Sequence, residues 1–125
     1  MIHECRFEAA ASSVGRARCF VVDAAGVDES TSQVLQLVVS ELATNAVLHA
    51  RSPYDVRVIT GLDALRIEVA DESPQLPSLR NGGSRSVSGR GLAIVDRLVR
   101  QWGVVPEAPG KRIWVEFGAD SALRR

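Results

Sequence analysis

Three polar side chains recur every fourth residue in the stretch SELATNAVLHA, residues 40 to 50, and all are of types that bind ligands or move protons. They are the carboxyl group of Glu41, the amide of Asn45 and the imidazole of His49. On a helix with about 100° between residues, they form a polar stripe along the border of an apolar one. The apolar stripe consists of Leu35, Val38, Val39, Leu42 and Ala46. Such a border is typical of a helix that lines a cleft, although a solvated helix edge gives the same pattern.

A fourth polar group, Asp71, ends the alternating stretch ALRIEVAD. It continues the parity of Leu65, Ile67 and Val69, so a β-strand would direct its carboxyl group to the same interior side. A buried carboxylate requires hydrogen-bond donors. The amino group of an adenine base would supply one, and a backbone N–H group or an arginine is the alternative.

The segment SGRGL, residues 88 to 92, combines two glycines with the predicted start of a helix. Glycines allow a ligand to approach the backbone closely, and a helix N-terminus binds phosphate through its free N–H groups. The chain has neither a GxxxxGKS/T loop nor a GxGxxG motif, so neither the P-loop nor the dinucleotide-binding fold is indicated. Taken alone, a Gly-x-Gly sequence more often marks an ordinary turn.

In this order the three segments resemble the histidine-kinase-like ATPases, a family that includes gyrase-type and chaperone-type ATPase domains. ELATNAVLHA resembles the N box of that family, VADESPQLP its first glycine box and SGRGLAIVDRLV its second. The resemblance covers roughly residues 7 to 118. Within the family, Ala17 and Arg18 and the ending WGVVPEAPGKRIWVEF are similar to the small bacterial anti-sigma-factor serine kinases.

The resemblance implies a site for ATP and Mg²⁺ and gives roles to its residues. Asn45 would hold the Mg²⁺ that bridges the phosphates, and Glu41 would orient or deprotonate the attacking hydroxyl group. His49 would line the pocket, or else interact with the negative end of the helix. Asp71 would accept a hydrogen bond from adenine, and the Ser73 hydroxyl group would bind the base through water.

The phosphate end of the implied site has a fixed part and a conditional part. The fixed part would come from the start of the third helix, at Gly89, Arg90, Gly91 and Leu92. The conditional part would be a lid, residues 72 to 88, that brings Arg80 or Arg85 to the phosphate oxygens.

The first glycine box departs from the family pattern Asp-x-Gly-x-Gly. Ser73 and Gln75 occupy the two glycine positions. Since glycines would have given this hinge its freedom, we expect incomplete closure of the lid and weak affinity for ATP, with a Kd on the order of 10–100 μM.

The function that follows is that of an ATP- and Mg²⁺-binding anti-sigma factor that phosphorylates a serine or threonine of an antagonist protein. Its partners would be a sigma factor, that antagonist, or both, with Arg18 at the contact, and a homodimer is compatible with this function. One alternative is a non-enzymatic partner-binding module with the same fold, which the altered residues 71 to 75 favour. A second is a detached sensor-kinase catalytic domain.

Composition limits the other classes of function. The 125 residues carry 15 Lys or Arg and 15 Asp or Glu, so no global charge attracts nucleic acid or an anionic membrane. No run approaches the roughly 18 apolar residues of a membrane span, and the polar start does not resemble a signal peptide. We therefore expect a single ATPase domain over residues 1 to 125, located in the cytoplasm, with Cys5 and Cys19 as small buried residues.

Helices are predicted from periodicity and end signals. Ser12 or Ser13 would cap a first helix that ends at Gly26. A second helix is expected from about Ser32 to Ala50, preceded by the acids and hydroxyl groups of DEST. The stretch GRGLAIVDRLVRQWG predicts a third helix, with Gly103 at its C-terminal cap.

Strands are predicted where apolar residues alternate. Residues 3 to 8 form an edge strand, YDVRVITG and ALRIEVAD form an antiparallel hairpin, and the tail gives two more strands around a Pro-Gly turn. The order of elements predicts an α/β fold, a two-layer sandwich with a mixed, mainly antiparallel sheet and helices packed on one face.

Overall fold

The computed structural model describes residues 1–61, 64–75 and 87–118, with residues 87–91 described by their backbone alone. In chain order the elements are β1 Ile2–Phe7, α1 Ala11–Ala25, α2 Glu29–Thr44, a π-helical segment Asn45–Ala50, β2 Tyr54–Thr60, β3 Ala64–Asp71, α3 Val87–Leu98, β4 Gln101–Glu107 and β5 Gly110–Gly118.

The five strands form one sheet in the order β1-β2-β3-β5-β4, and every neighbouring pair is antiparallel. The predicted hairpin of β2 and β3 is confirmed, with Val58 opposite Ile67. Since strand residues alternate between faces, the buried residues of one parity define a single covered face. They are Phe7, Tyr54, Val56, Val58, Leu65, Ile67, Val69, Ile113, Val115 and Phe117.

The helices supply the other half of the same core, through Ala17, Val21, Leu35, Val38, Val39, Leu42, Ala43, Ala46, Leu92 and Val95, and Val99 follows directly after α3. α2 packs between α1 and α3, and α1 lies over β1 and β2. At the other side of the layer, Trp102 of β4 donates a 2.7 Å hydrogen bond to Asp96 of α3. The helices therefore cover one face of the sheet, and the predicted two-layer α/β sandwich is confirmed.

The first helix starts earlier than the sequence suggested. α1 begins at Ala11, and Ala10 is its N-cap without a side-chain hydrogen bond. The predicted serine cap is wrong because Ser13 is buried inside the helix, where its hydroxyl group lies 2.6 Å from the phenol oxygen of Tyr54. The predicted end is confirmed: Gly26 adopts a left-handed conformation with φ 61°, which glycine adopts without strain.

The second helix also begins before its predicted start at Ser32. Asp28 is the N-cap, and its carboxylate accepts a 2.9 Å hydrogen bond from the Thr31 backbone N–H. The helix continues to Ala50 as predicted, but its last six residues are π-helical. His49 lies in this π-helical part and is exposed, whereas Asn45 at its start is buried.

The predicted C-terminal cap at Gly103 is wrong. α3 ends at Leu98, and Gly103 lies within β4 opposite Trp114 of β5. A Cβ atom at Gly103 would be 2.7 Å from the Trp114 indole ring. The glycine is therefore explained by the close approach of this ring rather than by the end of a helix.

The two cysteines differ in exposure. Cys5 is half-buried and Cys19 is exposed. The prediction that both are buried is wrong for Cys19 because this residue lies two positions from both Ala17 and Val21, the buried residues of α1. A separation of two residues places a helical side chain on nearly the opposite side.

Candidate functional site

Glu41, in the last turn of α2, and Asn45, the first residue of the π-helical segment, lie at the border of the core. The Asn45 side chain is buried, with 6% of the residue exposed, and its Nδ2 atom has no hydrogen-bond partner among the described residues. A buried amide without a partner is costly, so a ligand that completes its hydrogen bonds is favoured. Rotation of the Asn45 side-chain amide by half a turn exchanges its oxygen and nitrogen, so the oxygen can take the position that Nδ2 now occupies.

Glu41 lies one helical turn before Asn45 and is half-buried. Burial raises the pKa of the Glu41 carboxyl group above its ordinary value, because desolvation disfavours the charged form. A raised pKa makes the carboxylate a stronger proton acceptor, which suits a general base. His49, in contrast, is exposed in the π-helical segment, so the structure brings together two of the three polar groups of this stretch.

Asp71 ends β3 on the covered face, as its parity predicted, and is 6% exposed. It is opposite Lys111 of β5, which is equally buried. The Lys111 ammonium group lies 3.0 Å from Oδ2 and 3.1 Å from Oδ1 of Asp71. Asp71 Oδ1 also accepts a 3.0 Å hydrogen bond from the Ser73 backbone N–H. The donors to this acid are therefore a lysine and a backbone amide.

The segment after Asp71 is attached to the end of the π-helical segment through Ser52. The Glu72 backbone N–H donates a 3.0 Å hydrogen bond to the Ser52 hydroxyl oxygen, and the Ser52 N–H donates to the Ala46 carbonyl oxygen at 3.4 Å. These contacts connect the helix that carries Asn45 with the strand that carries Asp71. The described start of the predicted lid is further held by a 3.3 Å bond from the Gln75 N–H to the Ser73 hydroxyl oxygen.

Gly110 allows the end of β3 to pack closely against β5. A Cβ atom there would overlap with the Asp71 carbonyl oxygen and lie 2.6 Å from the Glu72 Cα atom. Glycine is needed at this point because no side chain fits between the two backbones.

Sequence reasoning missed Ser52, Gly110 and Lys111. A signal for Lys111 was available, since it has the parity of the buried residues Ile113 and Val115 and is the one charged residue in that inward-facing series of β5. Nothing in the local pattern connects Ser52 with Glu72, which lies 20 residues further along the chain.

The predicted phosphate site lies at the start of α3, which begins at Val87. Gly89, Arg90 and Gly91 are helical, and the Leu92 side chain is fully buried in the core. Because free N–H groups belong to the first turn of a helix, Gly91 and Leu92 lie beyond the groups that remain unpaired. Residues 76–86 of the predicted lid, with Arg80 and Arg85, lie outside the described residues.

Arg18, the predicted partner contact, is half-buried on α1. Its guanidinium group donates a 3.1 Å hydrogen bond to the Ser40 hydroxyl oxygen, and Ser40 in turn donates to the Gln36 carbonyl oxygen of α2. Arg18 therefore connects the first two helices in addition to any contact that it makes outside the chain.

A comparison with known protein families identifies the family of the chain. The family model described as the histidine kinase-like ATPase domain matches residues 7–117. The chain therefore belongs to the histidine kinase-like ATPase family, and this membership implies nucleotide binding. No curated protein matches the chain.

The described residues were also compared with the requirements of a metal site and of a membrane-spanning helix. None of their His, Cys, Asp and Glu side chains form a group of three or more that could hold a metal ion. In the same parts of the chain, no helix combines the length and apolarity that crossing a membrane requires.

Proposed function

We propose that the chain binds ATP with Mg²⁺ and transfers the γ-phosphoryl group to a serine or threonine of an antagonist protein, as an anti-sigma factor of the serine/threonine kinase type. The observation that carries this proposal is the pair formed by Asn45 and Glu41. One is a buried amide whose Nδ2 atom has no partner among the described residues, and the other is an acid whose pKa burial raises, one helical turn away.

Glu41 is the general base in this proposal. Its carboxylate accepts the proton of the substrate hydroxyl group while the hydroxyl oxygen forms a bond to the γ-phosphorus. The bond from that phosphorus to the bridging oxygen breaks, and ADP leaves with the electron pair. Asn45 fits a Mg²⁺ site because an amide oxygen is a hard ligand and this ion retains several water and phosphate ligands. When bound, the ion would neutralise charge on the phosphates.

The two ends of the nucleotide meet different elements. Asp71 contacts the base, with Ser73 beside it, since both lie at the end of β3 that Ser52 connects to the Asn45 helix. The first turn of α3 offers free N–H groups and a positive dipole end to the phosphates. Arg85 and Arg90 supply cationic contacts to phosphate oxygens, and a homodimer is compatible with this arrangement.

Calorimetry with ATP, with and without Mg²⁺, is the direct test of the site. The wild-type protein should bind with a Kd on the order of 10–100 μM, and Asn45→Ala should remove the dependence of binding on Mg²⁺. The exposed His49 offers a matched control on the same helix, because His49→Ala should change this dependence much less. Equal behaviour of wild type and Asn45→Ala in both conditions would contradict the Mg²⁺ assignment.

Incubation with labelled ATP and candidate antagonist proteins tests the transfer step. Label should appear on a serine or threonine of the antagonist. The partner surface is proposed to include Arg18, whose truncation to alanine should weaken the complex by about 2 kcal/mol, as expected for an arginine at an interface centre. Because Arg18 also bonds Ser40, Ser40→Ala is the control that removes the internal hydrogen bond and keeps the cation.

A second candidate is a partner-binding module with the same fold and little or no phosphotransfer. It is favoured by the state of Asp71, whose carboxylate already has Lys111 and the Ser73 N–H as partners. Partner capture that is independent of ATP, together with absence of label on every antagonist, would support this candidate over the kinase.

A further inference from the structure

The ion pair of Asp71 and Lys111 has a donor and acceptor balance that can be counted. The Lys111 ammonium group lies 3.0 Å from Asp71 Oδ2 in the ion pair, and it donates hydrogen bonds to Asp71 Oδ1 at 3.1 Å and to the Ser73 carbonyl oxygen at 3.3 Å. The third contact is the longest and therefore the weakest. It is the one that a ligand acceptor would replace at least cost.

Asp71 retains room for one more donor. Oδ1 accepts hydrogen bonds from both the Ser73 N–H and Lys111, whereas Oδ2 has only the ion-pair contact with Lys111 among the described residues. A carboxylate offers about four acceptor positions, so one position on Oδ2 remains among the described contacts. The pair thus presents an acceptor on Asp71 next to an exchangeable donor on Lys111, both at the buried end of β3.

The presence of both a carboxylate and an ammonium group changes which groups of a nucleotide base the site can bind. A carboxylate without a cation accepts hydrogen bonds only, so it favours an amino group and repels a carbonyl oxygen. The Lys111 ammonium group lies 3.0 Å from the Asp71 carboxylate. A carbonyl oxygen of the base can therefore accept the hydrogen bond that Lys111 now donates to the Ser73 carbonyl oxygen. The positive charge also offsets the repulsion between carboxylate and carbonyl.

We propose that Lys111 is a specificity-determining residue that lets the site accept purine nucleotides with either an amino or a carbonyl group at the ring position facing Asp71. The inference rests on the proposed nucleotide binding and names the class of base that this site takes. Lys111 is neither a base nor a nucleophile in the proposed transfer step, so its effect should appear in nucleotide selectivity.

The wild-type protein gives the first test. Inosine triphosphate carries a carbonyl group where ATP carries its amino group, and calorimetry should give Kd values for the two within about tenfold of each other. Rejection of inosine triphosphate by more than about a hundredfold, the behaviour of a site that reads the amino group strictly, would overturn this inference alone. Absence of binding by either nucleotide would overturn the proposed function and the inference with it.

Lys111→Met gives the second test because it removes the charge and keeps the length of the side chain. The ratio of the two Kd values should rise by about tenfold or more in favour of ATP. Arg112→Met is the matched control, since Arg112 is the next residue on β5 and points to the opposite face, where it bonds Glu68 and Glu107. The ratio in this control should equal that of wild type.

An unchanged ratio in a folded Lys111→Met protein would overturn the proposal. If this variant does not fold, the comparison of the two nucleotides on wild-type protein decides by itself, because it requires no substitution.

Discussion

Two acids of β3 are buried to the same extent and have different surroundings. Glu68 and Asp71 are each 6% exposed, but their separation of three residues places them on opposite faces of the sheet. Glu68, on the face without helices, meets three arginines, with N···O distances of 2.7 Å to Arg66, 3.0 Å to Arg112 and 3.5 Å to Arg57. Asp71, under the helices, meets one cation, Lys111.

The arginines around Glu68 also have other partners. Arg57 pairs with Glu4, Arg66 with Glu116 and Arg112 with Glu107, so the network extends over all five strands. Loss of one member leaves the others in place. Among the described residues, Asp71 has no second cation. A ligand or substitution that moves Lys111 would therefore leave its carboxylate without a cationic partner. Redundant pairing thus accompanies a structural role, and single pairing accompanies a candidate ligand site.

The largest effect should come from Glu41, the acid nearest the proposed chemistry. Glu41→Gln should lower phosphotransfer by roughly 10²–10⁴ and leave ATP affinity nearly unchanged, because it removes a base and keeps the shape. Transfer in wild type should increase as pH rises through the elevated pKa of Glu41, since only the deprotonated form accepts the proton. Rates measured against pH in both proteins test this, and persistence of the same pH dependence in Glu41→Gln would contradict it.

Two glycines of the β4–β5 hairpin extend the comparison between the helix-covered face of the sheet, which carries Asp71, and the opposite face, which carries Glu68. Gly110→Ala should destabilise the fold by about 3 kcal/mol and weaken ATP binding, because backbone atoms of Asp71 and Glu72 would have to move. A Cβ atom at Gly103 has side-chain atoms of Trp114 as its nearest neighbours, so Gly103→Ala should cost about 1 kcal/mol without affecting the nucleotide. Urea unfolding and calorimetry on both variants measure the difference, and equal losses in both quantities would remove the distinction.

Substitution of the two acids tests the comparison itself. Asp71→Asn should weaken ATP binding by about 1–3 kcal/mol, since an amide does not replace an acceptor-only carboxylate opposite an amino group. Glu68→Gln is the control: it should lower the unfolding free energy and leave the Kd for ATP unchanged. Binding of ATP by Asp71→Asn with wild-type affinity would make Asp71 a structural acid like Glu68.

The smallest effect is expected from removal of one member of the redundant network. Arg66→Met loses its contacts with Glu68 and Glu116 and the stacking of its guanidinium group 4.4 Å above the Trp114 ring. Because Glu68 keeps Arg57 and Arg112, the cost to unfolding free energy should be about 1 kcal/mol or less. A loss of about 3 kcal/mol or more, measured by urea unfolding, would show that the network is not redundant.

Much of the fold was predictable because alternation and helical periodicity are local properties of the chain. The parity of Leu65, Ile67 and Val69 predicted both the β2–β3 hairpin and the inward direction of Asp71. The ordered motifs around Asn45, Asp71 and residues 88 to 92 resembled the family to which the chain belongs. Helix ends were less predictable, since Ser13 forms part of the core through Tyr54 and does not cap α1.

The order of residues along the chain was enough to predict most of the residues that face the core and the family that the chain resembles. The partners of each inward-facing polar group depend on the tertiary structure. The partner of Asp71 is 40 residues away, and the register of β3 with β5 puts Lys111 there. The amide of Asn45 is left without a described Nδ2 partner, and His49 is exposed in the π-helical segment. Burial and hydrogen bonding depend on segments distant in the chain, so local periodicity cannot specify them.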